Sequence, residues 1–419
     1  MLIERSQIIE LRARLAQPPR FMIFVAGPRQ IGKTTLVRQA IAAYPHTFVA
    51  ADSTASLTAD PYNFLAEFQV GQSAAGSAPT AEWLVQQWTQ ARARAKALSG
   101  GPKPYVLALD EIQKIPRWSE IVKGLWDGDR AETVPLHVIL LGSSPWLMQK
   151  GLTESLAGRY EAIRMSHWAY SEMQSAFDFS LDEYIYFGGY PSSATLIRDV
   201  RRWREYVRGS LIQPNIEKDV LQMTRVDKPA LLKNLFELGC GSYSGQIVSY
   251  TKLQGQLQDA GNTVTLAHYL NLLSQAGLLT GLGKYAGKAH RQRASSPKLN
   301  ARNTALMSAL AGYTFAEARG DRTYWGHLVE SAIGAHLINT APDGCGVHYW
   351  REGHDEVDFV LANSRKLIAI EVKSGADYAT PKGLSAFVAK FKNARPLIVG
   401  EGGIPIAEFL LQPTEKWLS

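Results

Sequence analysis

Gly27-Pro28-Arg29-Gln30-Ile31-Gly32-Lys33-Thr34 has the spacing GxxxxGK[ST], and Thr35 follows directly. That pattern binds phosphate: the glycines let backbone N–H groups turn inward, and a helix N-terminus adds positive dipole. Lys33 would reach the β- and γ-phosphates of ATP, and the Thr34 hydroxyl would bind Mg²⁺. Val106-Leu107-Ala108-Leu109-Asp110-Glu111 is an apolar strand ending in two adjacent carboxylates. Asp110 suits Mg²⁺, and Glu111 suits polarising the attacking water as a general base.

Two further features fit ATP hydrolysis in an oligomer. The strand LHVILLGSS ends in Ser143 and Ser144, one of which would sense the γ-phosphate. Arg159, in ESLAGRY, is a candidate arginine finger for a neighbouring subunit's nucleotide. A helix-capping serine and a surface arginine are the plainer alternatives.

A second group of charges lies far downstream. Asp358 stands in the strand EVDFVLA, and Glu371-Val372-Lys373 follows 13 residues later in KLIAIEVKS. Alternate residues of a strand share a face, so Glu371 and Lys373 point the same way. A hairpin brings Asp358 alongside, and Glu330 completes the set from the preceding helix. Oxygen ligands of this kind suit Mg²⁺ or Mn²⁺. The order resembles the PD-(D/E)xK nuclease fold. The resemblance implies that Glu330, Asp358 and Glu371 hold a divalent metal and that Lys373 positions water or stabilises charge. A non-cleaving fold in which Lys373 merely pairs with the acids is the alternative.

Between Asp259 and Glu317 there is no acidic residue, while Lys284, Lys288, Arg291, Arg293, Lys298 and Arg302 all fall there. Contact with a nucleic-acid backbone would explain such a run. The stretch just before it reads as helix, turn, helix and a β-wing, with Gly261-Asn262 as the turn and Thr263 or Thr265 as the cap. A winged helix used for protein contact fits the same pattern. Arg198, Arg201, Arg202, Arg204 and Arg208 form a second basic stretch on a helix carrying Trp203 and Tyr206.

The elements that must position these residues follow from periodicity. Strands alternate with helices up to about residue 166, which implies a parallel sheet. Residues 170 to 280 carry helical patterns, and a smaller α/β unit follows. With 419 residues the chain is long enough for several domains. The expected divisions are 1–168 (ATPase core), 169–238 (helical lid), 239–295 (winged helix) and 296–419 (nuclease-like). Hydrophobic residues are 46% and charged residues 20%, which excludes wholesale disorder. The net charge of +7 favours an acidic partner such as DNA. Two distant cysteines make neither a disulfide framework nor a metal cluster. No apolar run is long enough to span a membrane, and a cytoplasmic location is expected.

GPRQIGKTTL, LALDEIQKIP, LLGSS and ESLAGRY together resemble the AAA+ ATPases of the AAA_14 type. Downstream, YFGGYP, YWREGHDEVDFVL and IAIEVKSG resemble the DUF4143 domain that usually follows that ATPase. The resemblance implies an α/β chain: an AAA+ P-loop core, a helical lid running into a winged helix, and a C-terminal α/β nuclease-like domain. It also implies assembly of copies into a ring, a hexamer. Three functions are open: a DNA-acting motor or switch, a slow switch with a protein partner, and an ATP-gated metal-dependent nuclease. ATP and Mg²⁺ are the expected cofactors, with a second Mg²⁺ or Mn²⁺ in the last case.

Overall fold

The computed structural model describes residues 3–51, 79–142, 155–220, 226–258, 261–287, 295–375 and 382–418. The chain divides into two compact units, Met1–Met165 and Ser166–Ser419.

In the first unit helix α1 (Gln7–Leu15) precedes strand β1 (Met22–Ala26). There follow α2 (Lys33–Ile41), β2 (His46–Ala50), α3 (Ala81–Ala97), β3 (Tyr105–Asp110), α4 (Trp118–Ala131), β4 (Leu136–Gly142) and β5 (Tyr160–Arg164). The strands form one parallel sheet in the order β2-β3-β4-β1-β5. Parallel sheets are covered on both faces, so their inner strands read as unbroken apolar runs. β1, β3 and β4 are buried throughout, whereas β2 and β5, at the edges, are partly exposed.

The register decides what meets at the ends of the sheet. Ala26 pairs with Gly142, and Ala50 with Asp110, so the C-terminal ends of β1, β3 and β4 share one edge. Arg159 lies at the opposite edge, because Tyr160 pairs with Met22 at the start of β1. The packing of α3 against α4 centres on Trp88 and Trp126. Asp129 is fully buried between these helices, accepts from Trp88 Nε1 at 2.7 Å and pairs with Arg92. A buried carboxylate is tolerable only with such partners.

The second unit opens with helices α5 (Tyr170–Phe177), α6 (Leu181–Phe187), α7 (Val200–Tyr206), α8 (Pro229–Gly241), α9 (Tyr250–Gln256) and α10 (Thr263–Gln275). Trp203 is fully buried against Tyr186 and Phe187, which fixes α7 on α6. The cap of α10 is Asn262, whose Oδ1 accepts the Thr265 N–H at 2.8 Å, rather than either threonine. Asn in the turn satisfies that N–H while keeping its own backbone extended.

Strand β6 (Leu279–Leu282) pairs antiparallel with β7 (Lys298–Ala301). Helices α11 (Ala305–Ala311), α12 (Phe315–Gly320) and α13 (Arg322–Thr340) lead into a mixed sheet. Its strands are β8 (Gly346–Glu352), β9 (Asp355–Ala362), β10 (Leu367–Lys373) and β11 (Ala394–Gly400), in the order β11-β10-β9-β8. β9 and β10 form the expected antiparallel hairpin, and β10 and β11 run parallel. Helix α14 (Lys382–Lys390) covers this sheet, with Leu384 and Phe387 against Trp350, Val357 and Leu367. Helices α15 (Ile406–Leu411) and α16 (Thr414–Trp417) follow. Among the described residues no helix is long and apolar enough to cross a membrane.

Candidate nucleotide site and the C-terminal carboxylate cluster

The loop from Gly27 to Gly32 joins β1 to α2 at the shared strand edge. Its two glycines are required for different reasons. A Cβ at Gly27 would sit 2.3 Å from the Met165 carbonyl oxygen, so the need is steric. Gly32 has φ +91°, a left-handed conformation that opens α2 and that side chains disfavour. Gln30 also has positive φ, and Ile31 is fully buried, anchoring the loop from beneath.

Lys33 is buried, and its Nζ donates to the carbonyls of Gly27 at 3.0 Å and Pro28 at 2.7 Å. The ammonium therefore curls over the loop that would cradle the phosphates. The Thr34 hydroxyl donates to Asp110 Oδ2 at 2.7 Å, and Asp110 Oδ1 accepts the Glu111 N–H at 3.0 Å. The hydroxyl and carboxylate expected to hold Mg²⁺ thus already share one point. These residues fit a magnesium nucleotide: Thr34 and Asp110 would hold the ion, which would supply charge neutralisation at the phosphates; Arg29 and Gln30 lie within the loop and Thr35 follows in α2.

Glu111 has φ +53° and accepts from Gln113 Nε2 at 2.8 Å. Such a left-handed conformation is uncommon for a glutamate. Burial, then the Asp110 charge, raises its pKa against the pull of Lys33, Lys114 and Arg29. A raised pKa suits a general base.

Arg159 makes a two-pronged pair with Asp127, Nε to Oδ1 at 2.7 Å and Nη2 to Oδ2 at 3.0 Å. Its place at the far edge of the sheet keeps it from its own nucleotide loop. Ser143 and Ser144 lie outside the described residues, directly after Gly142. Sequence inspection missed Arg5, which is buried and donates from Nη1 to the Ile31 carbonyl at 3.2 Å. Nothing local marks it, since it precedes the first helix by two residues. Asp127 was missed for the same reason: its partner is 32 residues away.

In the second unit the hairpin brings Asp358 beside β10. The β9–β10 ladder ends at the pair Ile370 and Phe359. Beyond it Asp358 Oδ2 accepts the Val372 N–H at 2.9 Å. Lys373 Nζ lies 4.0 Å from Glu371 Oε1, as strand alternation requires. Glu330 joins from α13.

One residue in this cluster was unexpected. Lys298, on β7, is 0% exposed, and its Nζ lies 2.6 Å from Glu330 Oε1, 3.3 Å from Asp358 Oδ1 and 3.7 Å from Glu356 Oε1. Burial opposes its charge, but Asp358 and Glu330 outweigh that and raise its pKa. Burial, joined by the neighbouring carboxylate Asp358, raises Glu330 and Glu371 against the opposing pull of the lysines. A second metal was expected on Glu330, Asp358 and Glu371; the Lys298 ammonium stands beside the Glu330 and Asp358 oxygens of that set.

The expected basic surface is likewise corrected in part. Lys298 is interior and offers nothing to a phosphate. Arg302 turns inward too: its Nε donates to Asn339 Oδ1 at 2.8 Å, and burial lowers its pKa to about 10. Lys284 is half-buried beside the C-terminal sheet, bridged to Tyr349. Lys288, Arg291 and Arg293 lie outside the described residues. In the other basic stretch Arg198, Arg201, Arg202 and Arg208 are exposed, whereas Arg204 donates to the Tyr313 carbonyl.

Comparison with known proteins agrees with this layout. An AAA domain family (AAA_14) matches residues 19–174, and two domains of unknown function, DUF8612 and DUF4143, match residues 178–317 and 325–407. The chain is 27% identical over 422 residues to the uncharacterized proteins Rv2008c of Mycobacterium tuberculosis and Mb2031c of Mycobacterium bovis, covering 97% of this chain and 83% of each of those. Among solved structures, the Walker-type ATPase PABY2304 of Pyrococcus abyssi aligns with 15% identity and a TM-score of 0.47, over 74% of this chain and 96% of that one. A single-substitution variant of RuvB from Thermotoga maritima aligns with 16% identity and a TM-score of 0.30, over 65% and 85%. By the family matches, the chain carries an N-terminal AAA domain over residues 19–174 and a DUF4143 domain over residues 325–407.

Proposed function

We propose that this protein hydrolyses ATP with Mg²⁺ and couples the cycle to DNA, as a motor or switch working in a ring of copies, a hexamer. The observation that carries the ATPase reading is the convergence of Lys33, Thr34, Asp110 and Glu111 at one strand edge, with Thr34 and Asp110 in direct hydrogen bond. Hydrolysis then divides among these groups. Backbone N–H groups at the start of α2 and the Lys33 ammonium bind the phosphates, and Glu111 takes the proton of the attacking water. One of Ser143 and Ser144 contacts the γ-phosphate. Arg159 acts on a neighbouring copy, since it lies at the edge of the sheet opposite its own loop.

The DNA reading rests on the second unit. Helices α9 and α10 join through the Asn262-capped turn and lead into the β6–β7 pair, the order of a winged helix. Exposed Arg201, Arg202 and Arg208 offer phosphate contacts. The mixed sheet is read as nuclease-like, from the β9–β10 hairpin and the placing of Asp358, Glu371 and Lys373.

The test is ATP hydrolysis by wild type and Glu111→Gln, with duplex, single-stranded and four-way-junction DNA, at about 50 and 200 mM salt. Stimulation by one DNA form, weakened at the higher salt and absent in Glu111→Gln, is the expected result. Hydrolysis indifferent to every DNA form would instead favour a switch with a protein partner.

A further inference from the structure

The C-terminal carboxylates face a cation that is part of the chain. Asp358 has both oxygens engaged: Oδ1 by the Lys298 ammonium at 3.3 Å and Oδ2 by the Val372 N–H at 2.9 Å. Glu330 Oε1 is taken by the same ammonium at 2.6 Å, and Glu356 stands 3.7 Å away. The Lys298 Nζ also lies 5.0 Å from the centre of the Phe359 ring, which closes its apolar side. Lys298 is fully buried, on a strand whose four residues are all buried and which pairs with β6.

We propose that the Lys298 ammonium takes the place of a divalent metal in this cluster, leaving the C-terminal domain a metal-free, non-cleaving fold. This rests on the nuclease-like reading of the mixed sheet and is independent of the ATPase and DNA readings. The physical reason is exclusion. A magnesium ion needs carboxylate oxygens at about 2.1 Å and would share its site with a fixed positive charge. Two cations that close repel strongly in a buried setting. The lysine comes from outside the sheet, on β7, so the same charge that displaces a metal also pins β7 to α13 and β9. The acids serve as its counter-charge, which accounts for their burial without catalysis.

The arrangement predicts that removing the lysine creates a metal site. The experiment uses the nucleotide-free full chain, with Asp110→Asn in every sample to remove the cation ligand of the first unit. Mn²⁺ is the probe, followed by calorimetric binding and thermal unfolding. With Lys298 present, no Mn²⁺ binding sensitive to Asp358→Asn or Glu371→Gln is expected. Lys298→Ser should unfold at lower temperature without metal and regain about 5 °C when Mn²⁺ is about 100-fold above its Kd. That regain should vanish when Asp358→Asn is added. A folded Lys298→Ser that ignores Mn²⁺ would overturn the proposal. So would Mn²⁺ binding by the Lys298 protein that Asp358→Asn or Glu371→Gln abolishes. If Lys298→Ser does not fold, this last comparison decides by itself: such binding refutes the proposal and its absence supports it. None of these outcomes depends on ATP hydrolysis or DNA, so the two readings fail separately.

Discussion

Thr34 and Asp110, 76 residues apart, are joined by a 2.7 Å hydrogen bond from hydroxyl to carboxylate across the loop–strand edge. The bond fixes the two oxygens at one point before any nucleotide arrives. Thr34→Ala and Asp110→Asn should each lower the hydrolysis rate by about 10²–10³-fold, the range found when one preorganised electrostatic contact is removed. Both should also abolish the Mg²⁺-dependent part of ATP affinity and leave the Mg²⁺-free part intact. Glu111→Gln should keep ATP binding and lose about 10²–10⁴-fold in rate. Titrating a fluorescent ATP analogue with and without Mg²⁺ separates the two effects.

Arg159 is held by Asp127 in its own chain, away from its own nucleotide loop. If it serves a neighbour, Arg159→Ala should lose about 10³–10⁵-fold in rate. Mixing it with Glu111→Gln should restore activity, since one variant supplies the finger and the other an intact loop. Two variants that stay inactive when mixed, in a chain shown to assemble, would rule the trans arrangement out.

Arg5 links the start of the chain to the nucleotide loop through the Ile31 carbonyl. Hydrogen bonds from a charged donor are worth about 1.5–3 kcal/mol. Arg5→Ala should therefore weaken ATP binding by about tenfold or more, with little change in rate at saturating ATP. A change in rate with unaltered affinity would show that Arg5 acts otherwise.

His336 is buried, with Nε2 2.8 Å from the Gln412 carbonyl oxygen. Burial lowers its pKa from 6.5 to about 4. An unfolded chain takes up this proton near pH 6.5 and the folded chain only near pH 4. The associated stability is thus complete above pH 6.5 and is lost as pH falls towards 4, by about 3 kcal/mol at the limit. Denaturant unfolding between pH 4 and 7 should show this slope in wild type and a flatter one in His336→Gln.

Charge reversal separates surface from interior arginines. Arg201→Glu, Arg202→Glu and Arg208→Glu together should weaken DNA binding and flatten its salt dependence. Arg302→Ala should leave DNA binding alone and destabilise the fold by about 1–3 kcal/mol, because Asn339 Oδ1 loses its donor while its Nδ2 keeps the Arg302 carbonyl. A loss of DNA affinity confined to Arg302→Ala would reverse the assignment.

The nucleotide site was legible in the sequence because it is made from contiguous residues. The phosphate loop and the strand ending in Asp110 and Glu111 each carry their chemistry in a short stretch, and alternation of strands with helices implies the parallel sheet that unites them. The hairpin of β9 and β10 was legible for the same reason: period-two patterning fixes which residues share a face. Charge was read wrongly where its partners are distant. The acid-free run around Lys298 and Arg302 looked like a surface for phosphate, yet Lys298 finds its acids at 330, 356 and 358, and Arg302 finds an amide at 339. Whether a charge is solvated or buried depends on what folds over it. Only the tertiary structure decides that, and here it brings a lysine into the cluster whose spacing alone suggested a metal.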